Sequence, residues 1–229
     1  MLSVEMALIL GVFTVSLVAF VFLVRRVFVV GKTEVDQRVF DYLQNYVTPR
    51  NNEIMLFITY LGRHEFLIPA NLVLIAYYLF IKKHKWYSIK VPAVAISSVL
   101  LMFILKNLFG RERPLIPLLE QAKGLSFPSG HALMSVTFYG LLIYLTFREI
   151  KNPNLKWTII VALLILIHLI AFSRIYLRVH YFTDVMAGLA MGFIWLVFSL
   201  KALRQLEKYS RRNVDPVVKE VPAGTQAAS

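Results

Sequence analysis

Two histidines, one aspartate and three cations fall at spacings that suit phosphoryl transfer. In "SRIYLRVHYFTD", His180 and Asp184 stand four residues apart, which puts them on one face of a helix. The carboxylate can accept the imidazole Nδ1 proton and leave the Nε2 lone pair free, making His180 a nucleophile. An aspartate at the start of an apolar helix is costly without such a partner. Arg174 in the same stretch, with Lys106 and Arg113 of "KNLFGRERP", supplies the positive charge and fork donors that a phosphoryl group takes. The third stretch is "SFPSGHALMSV". Ser129 suits the N-cap of a helix whose unpaired N–H groups and positive dipole end favour an anion. Gly130 lets a phosphate oxygen approach the backbone, and His131, in the first turn, can protonate a leaving oxygen.

The elements that must position these groups are membrane helices. The chain has 229 residues, of which 58% are hydrophobic and 17% charged. Soluble domains are typically about 45–50% apolar. Apolar runs cover Met6 to Val24, Phe66 to Ile81, Val91 to Leu105, Ala132 to Phe147, Trp157 to Phe172 and Val185 to Leu200. The shorter runs give about 24 Å of helix against a bilayer core of about 30 Å, and flanking Trp86, Tyr87, Trp157 and snorkelling cations extend them. Six such helices in a soluble chain would leave too little polar surface to clothe them. The expected fold is an all-α integral membrane protein with six transmembrane helices. Between helices one and two, residues 33–63 read as two short amphipathic helices in the interface, broken at Pro49. The membrane domain is expected over 1–209, with a disordered cytoplasmic tail over 210–229. The first run lacks a basic n-region and a cleavage site, so it is expected to remain as a helix.

Helix parity places all three chemical stretches at one end of the bundle. The net charge of +12 is carried in the loops, which argues for lipid headgroups and orientation and against nucleic acid. Cations divide almost evenly between the two faces. Setting aside Lys106, Arg113 and Arg174 as phosphate ligands leaves the excess on the side of Lys82–Lys85 and the basic stretch after helix six. The C-terminus is then cytoplasmic and the site faces the periplasm or outside. The absence of cysteine excludes disulfides and thiolate chemistry.

Together the three stretches resemble the type-2 phosphatidic acid phosphatase and vanadium haloperoxidase superfamily, whose pattern is K-x6-R-P, P-S-G-H and S-R-x5-H-x3-D. Lys106 to Arg113-Pro114, Pro128 to His131, and Ser173-Arg174 to His180 to Asp184 match it without a gap. The resemblance implies a phosphohistidine on His180, with His131 protonating the leaving group and then activating water. It implies phosphate ligation by Lys106, Arg113, Ser129, Gly130 and Arg174, with no metal and no cofactor. Arg178 departs from the small residue, often glycine, expected two before the nucleophile; it reads as a snorkelling cation, the alternative being a cation for a second phosphate, and Arg111 and Lys123 take the same two readings. His64 and Glu65 read as an interfacial pair, the alternative being contact with a head group, and His168 as a packing histidine bonded across helices. Gly188 and Gly192 read as a close helix contact.

The function these features imply is a lipid phosphatase of a bacterial inner membrane. Its expected partners are the bilayer and a lipid phosphate monoester or pyrophosphate, of the undecaprenyl pyrophosphate or phosphatidylglycerol phosphate type. A lipid A phosphatase or a lipid phosphotransferase would use the same residues. A haloperoxidase of this superfamily resembles soluble proteins, against which the apolar runs count. A transporter would carry ionisable residues near mid-membrane on several helices, where only His168 comes close.

Overall fold

The computed structural model describes residues 4–119 and 123–213, in which every regular element is helical. Helix α1 covers Val4–Val24 and ends in a π-helical turn, Arg25–Val29. Two shorter helices follow, α2 (Glu34–Gln44) and α3 (Pro49–Tyr60), and then α4 (His64–Ala76) with a π-helical extension, Tyr77–Ile81. The remaining four are α5 (Lys85–Phe109), α6 (Gly130–Glu149), α7 (Pro153–Tyr176) and α8 (Phe182–Asn213). Six helical stretches are long and apolar enough to cross a membrane: α1, α3 with α4, α5, α6, α7 and α8.

The helices outrun the apolar runs because their ends are set by caps. His84 Nδ1 accepts the Tyr87 N–H at 3.2 Å and starts α5 well before Val91. Asn152 Oδ1 accepts the Leu155 N–H at 3.2 Å ahead of Pro153, whose missing N–H costs nothing in the first turn. Gly110, at φ 60°, turns left-handed and closes α5 on the Lys106 carbonyl at 2.9 Å. Helix α8 runs past residue 209 to Asn213, and the expected tail from residue 214 onward lies outside the described residues.

Helix α6 is the central post, packed by α5, α7 and α8. Its contact with α8 is close enough to require glycine. A Cβ on Gly188 would stand 2.6 Å from the Ser129 carbonyl oxygen, and one on Gly192 would stand 2.9 Å from that of Leu133. The small-residue face expected there thus seats α8 against the first turns of α6. By contrast, α1 leaves most of its apolar side chains exposed and touches the bundle through Phe20, packed with Phe127, Ala187 and Ala190. Helix α2 is amphipathic as expected, and buries Phe40 and Leu43 against Ala132, Ala171, Ile175 and Val185. It also buries Asp36 completely, which the pattern of that helix did not suggest.

Candidate active site

The C-terminal ends of α5 and α7 and the N-terminal ends of α6 and α8 meet at one end of the bundle. There Lys106, Arg113, Ser129, Gly130, His131, Arg174, His180 and Asp184 come together as the parity of the helices predicts. His180 lies in the short connection between α7 and α8 and is 1% exposed. Its Nε2 is 3.3 Å from Arg113 Nη1, and its Nδ1 is 3.3 Å from Ser126 Oγ. Arg113 is itself held by the Gly124 carbonyl at 2.9 Å and the Val179 carbonyl at 2.7 Å. Lys106 donates to the Leu125 carbonyl. Arg174, buried on α7, donates from Nη1 to Thr59 Oγ1 at 2.5 Å, so α3 positions that guanidinium.

The direct hydrogen bond expected between His180 and Asp184 does not form. Nδ1 and Oδ2 are 3.7 Å apart, beyond hydrogen-bond reach. Ser126 fills the interval, donating its hydroxyl proton to Asp184 Oδ2 and presenting its oxygen to Nδ1. The same tautomer results by another route. Nδ1 carries the proton, and Nε2 keeps a lone pair that accepts from Arg113. Asp184 also receives the Tyr181 N–H at 3.0 Å and Arg111 Nη1, so its charge is well compensated. Burial, with Arg113, Arg174 and Lys106 close by, holds the His180 imidazole well below the usual histidine range. The resting ring is neutral.

Ser129 occupies the N-cap position of α6 but makes no side-chain cap. Its N–H donates to the Asp184 carbonyl at 2.9 Å, and its fully buried hydroxyl has no partner among the described residues. His131 Nε2 is likewise buried without a hydrogen-bond partner among them. Unsatisfied buried groups of this kind are rare in folded proteins and gather where a ligand completes them.

A cleft of about 720 Å³ reaches from these groups along α4 and α5. Lys106, Arg113, Gly130, His131 and His180 line its polar end, and His64 is a further polar residue of the lining. The rest of the wall is apolar, and Ile68, Leu72, Ile96, Leu100 and Phe103 on its rim are more than half exposed. Exposed apolar side chains on a membrane helix face lipid, so the cleft opens sideways into the bilayer. Ser129, Arg174 and Asp184 are buried and are not among the residues that line it. A side chain at position 130 would press on Met102, with Cβ 2.7 Å from its Sδ, and narrow the cleft beside Lys106.

A family model described as the PAP2 superfamily matches residues 87–208, which hold Lys106, Arg113, Ser126, Ser129, Gly130, His131, Arg174, His180 and Asp184. The chain belongs to the PAP2 superfamily. It is 32% identical to phosphatidylglycerophosphatase B of Bacillus subtilis over 166 residues, covering 72% of this chain and 80% of that one. It is 28% identical over 136 residues to a putative undecaprenyl-diphosphatase of Escherichia coli, covering 54% of this chain and 64% of that protein. A crystal structure of a transmembrane PAP2-type phosphatidylglycerolphosphate phosphatase from Bacillus subtilis superposes with a TM-score of 0.75. At 23% identity it covers 89% of this chain and 98% of its own. The protein is thus a multi-span membrane phosphatase of the PAP2 lipid phosphatase kind.

Two groups near the PAP2 site escaped the sequence reading. Ser126 precedes the PSGH stretch by two residues and carries no spacing signal of its own. Arg111, expected to snorkel, is instead buried, donating Nη2 to Asp36 Oδ2 at 2.8 Å and Nη1 to Asp184 and to Thr183 Oγ1. Asp36 closes the ring through the Thr183 N–H and hydroxyl, each at 2.9 Å. The signal that could have found the pair was Asp36 itself, an acid needing a cation. Arg178 turns away from the site, with Nη2 3.3 Å from Gln44 Oε1 on α2. His64 and Glu65 do pair, at 3.4 Å. His168 bonds the Leu164 carbonyl of its own helix at 2.8 Å, correcting the cross-helix bond expected of it. An i, i−4 carbonyl lies within reach of any such side chain facing lipid.

Proposed function

We propose that this PAP2 phosphatase hydrolyses a lipid phosphate of the phosphatidylglycerol phosphate type, without a metal, through a phosphohistidine on His180. The single observation that carries this reading is the cleft, whose polar end gathers a neutral imidazole and cations while its flank is open to lipid. A lipid can lay its tails between α4 and α5 and present its phosphate to His180. The phosphate draws Arg113 off Nε2, freeing the lone pair. Nε2 then attacks phosphorus as the bond to the lipid oxygen breaks, and His131 gives that oxygen its proton. In the second step His131 takes a proton from water, the water oxygen bonds phosphorus, and the P–N bond breaks to release inorganic phosphate. Lys106, Arg113 and Arg174 balance the negative charge of the transition state. The Ser129 hydroxyl and the first N–H groups of α6, beginning at Gly130, complete the oxygen ligands. Asp184 acts through Ser126 to keep His180 in one tautomer.

Metal independence is supported by the donor set. Among the described residues, no group of three histidine, aspartate or glutamate side chains is placed to hold an ion. The carboxylates at the site are already committed to Arg111. The substrate assignment is supported by the Bacillus subtilis relative, and a polyprenyl pyrophosphate is the second reading, supported by the Escherichia coli relative. The site is proposed to face outward from a bacterial inner membrane, with the C-terminus cytoplasmic, because the basic end of α8 lies opposite His180.

Phosphate release by the pure protein from detergent-solubilised phosphatidylglycerol phosphate and undecaprenyl pyrophosphate, with and without EDTA, tests the reading. Turnover of the first unaffected by EDTA and lost in His180→Ala is the expected result. Chelator-sensitive activity restored by Mg²⁺ would overturn the metal-free mechanism, and a strong preference for the pyrophosphate would overturn the substrate.

A further inference from the structure

The end of the bundle opposite His180 holds a second hollow, of about 240 Å³, between the start of α5, the end of α6 and the last turns of α8. Lys90, Arg148, Arg204, Lys208 and Arg211 all line it, and Glu207 is the carboxylate among them. Glu207 is already engaged twice, by Lys90 Nζ at 2.6 Å and by Arg211 Nη2 at 2.9 Å. The nearby Glu149 is held by the Tyr78 hydroxyl at 2.7 Å and by Lys82 at 3.5 Å. Among the described residues, Arg148, Arg204 and Lys208 have no carboxylate partner.

Cations that only snorkel fan outward into the headgroup layer. These converge on a concavity instead, with Lys90 at 4% exposure in its wall. Like charges around one hollow repel unless an anion sits between them. His84 joins them: its Nδ1 accepts the Tyr87 N–H, which leaves Nε2 as the ring's donor, and the two rings stack at 4.0 Å. The start of α5 adds the positive end of a long helix.

We propose that this hollow binds a phosphate group on the membrane face opposite the catalytic site. The group belongs either to the headgroup of an anionic lipid in that leaflet or to a free phosphate from the water. Both offer the same oxygens to the same guanidinium forks and ammonium groups. Bound there, the anion ties the ends of α5, α6 and α8 together and stabilises the bundle by mass action. The chemistry at His180 plays no part in this inference.

The test compares the purified full chain in neutral detergent with R204Q/K208Q, whose substitutions lie at the far end from the catalytic groups. Both proteins keep the site at His180, so any signal from that site is common to both. Thermal midpoints are followed against inorganic phosphate and, separately, against dihexanoyl phosphatidylglycerol, and turnover confirms that the variant is folded. The unsubstituted protein should bind at least one probe about tenfold more tightly than R204Q/K208Q. A difference with the lipid alone assigns the site to a headgroup, and a difference with inorganic phosphate alone assigns it to a free anion. Identical responses of both proteins to both probes overturn the proposal. Should R204Q/K208Q lose turnover, R148Q replaces it in the same comparison: weaker binding of either probe upholds the site, and unchanged binding of both overturns it.

Discussion

Ser126 Oγ stands 3.3 Å from His180 Nδ1 and donates to the Asp184 carboxylate, so the histidine and the aspartate communicate through a hydroxyl. Ser126→Ala removes that bridge and leaves a gap of 3.7 Å between ring and carboxylate. The variant should lose roughly 10–100-fold in kcat, the scale seen when a group orienting a functional histidine is removed. Asp184→Asn should lose more, because it also unbalances Arg111. Steady-state kinetics on phosphatidylglycerol phosphate check this, and a Ser126→Ala enzyme with full kcat would show the bridge to be idle. Ser126→Thr, which keeps the hydroxyl, should restore part of the loss.

His180→Ala and His131→Ala should each abolish measurable turnover while leaving the fold intact. The first removes the proposed nucleophile and the second the proposed proton donor, worth about 10²–10⁴-fold in general acid catalysis alone. Orthovanadate should inhibit the unsubstituted enzyme, since five-coordinate vanadate on Nε2 imitates the transition state. Trapping with a phosphorylated lipid at low temperature should label unsubstituted protein and leave His180→Ala unlabelled; label in His180→Ala would move the nucleophile elsewhere.

Arg111→Leu should destabilise the protein by about 3–5 kcal/mol, because it strands Asp36 and Asp184 together in a buried place. Arg111→Lys should recover little, since one ammonium cannot reach both carboxylates as the fork does. The temperature of half-inactivation reports the loss. An unchanged temperature in Arg111→Leu would mean that water compensates both acids.

The pH dependence of kcat/KM follows from the sign of the His180 shift. Burial and the neighbouring cations disfavour the imidazolium, so the neutral, reactive ring persists as pH falls through about 6.5, the ordinary histidine value. The acid limb should therefore lie below that value. Arg113→Gln, which removes one of the repelling charges, should move the limb upward even as it weakens phosphate binding. A limb at or above the ordinary value in the unsubstituted enzyme would contradict a buried neutral nucleophile.

Sidedness can be read with single cysteines, because the chain has none of its own. Leu115→Cys, in the exposed connection beside the site, should react with an impermeant thiol reagent in intact cells. Tyr209→Cys, on the exposed end of α8, should react only after permeabilisation. The reverse pattern would invert the orientation and leave the chemistry standing.

How much of this was legible depended on whether a residue's role is local in sequence. The six spans followed from hydropathy, and the gathering of Lys106, His131 and His180 followed from helix parity, which needs no tertiary knowledge. A close helix contact was visible in Gly188 and Gly192, though not that its partner is α6. Ser126, Arg111 and Asp36 were not legible because their partners lie 58, 73 and 147 positions away. A lone arginine near a membrane surface looks the same whether it snorkels or holds two buried acids. His168 failed for the opposite reason: its partner was one turn away, and the bond across helices was an unnecessary expectation.

The sideways opening of the cleft between α4 and α5 sets the units in which this enzyme counts its substrate. A molecule that arrives from within the leaflet is present at a concentration per area of membrane, so bulk dilution at fixed lipid composition leaves its supply unchanged. The inorganic phosphate released at the polar end departs into water, where dilution does act. The two products of one turnover therefore leave into different phases, and reversal needs both phases to be loaded at once. Rates should scale with the mole fraction of lipid phosphate in the bilayer, and inhibition by product phosphate with its molarity outside it.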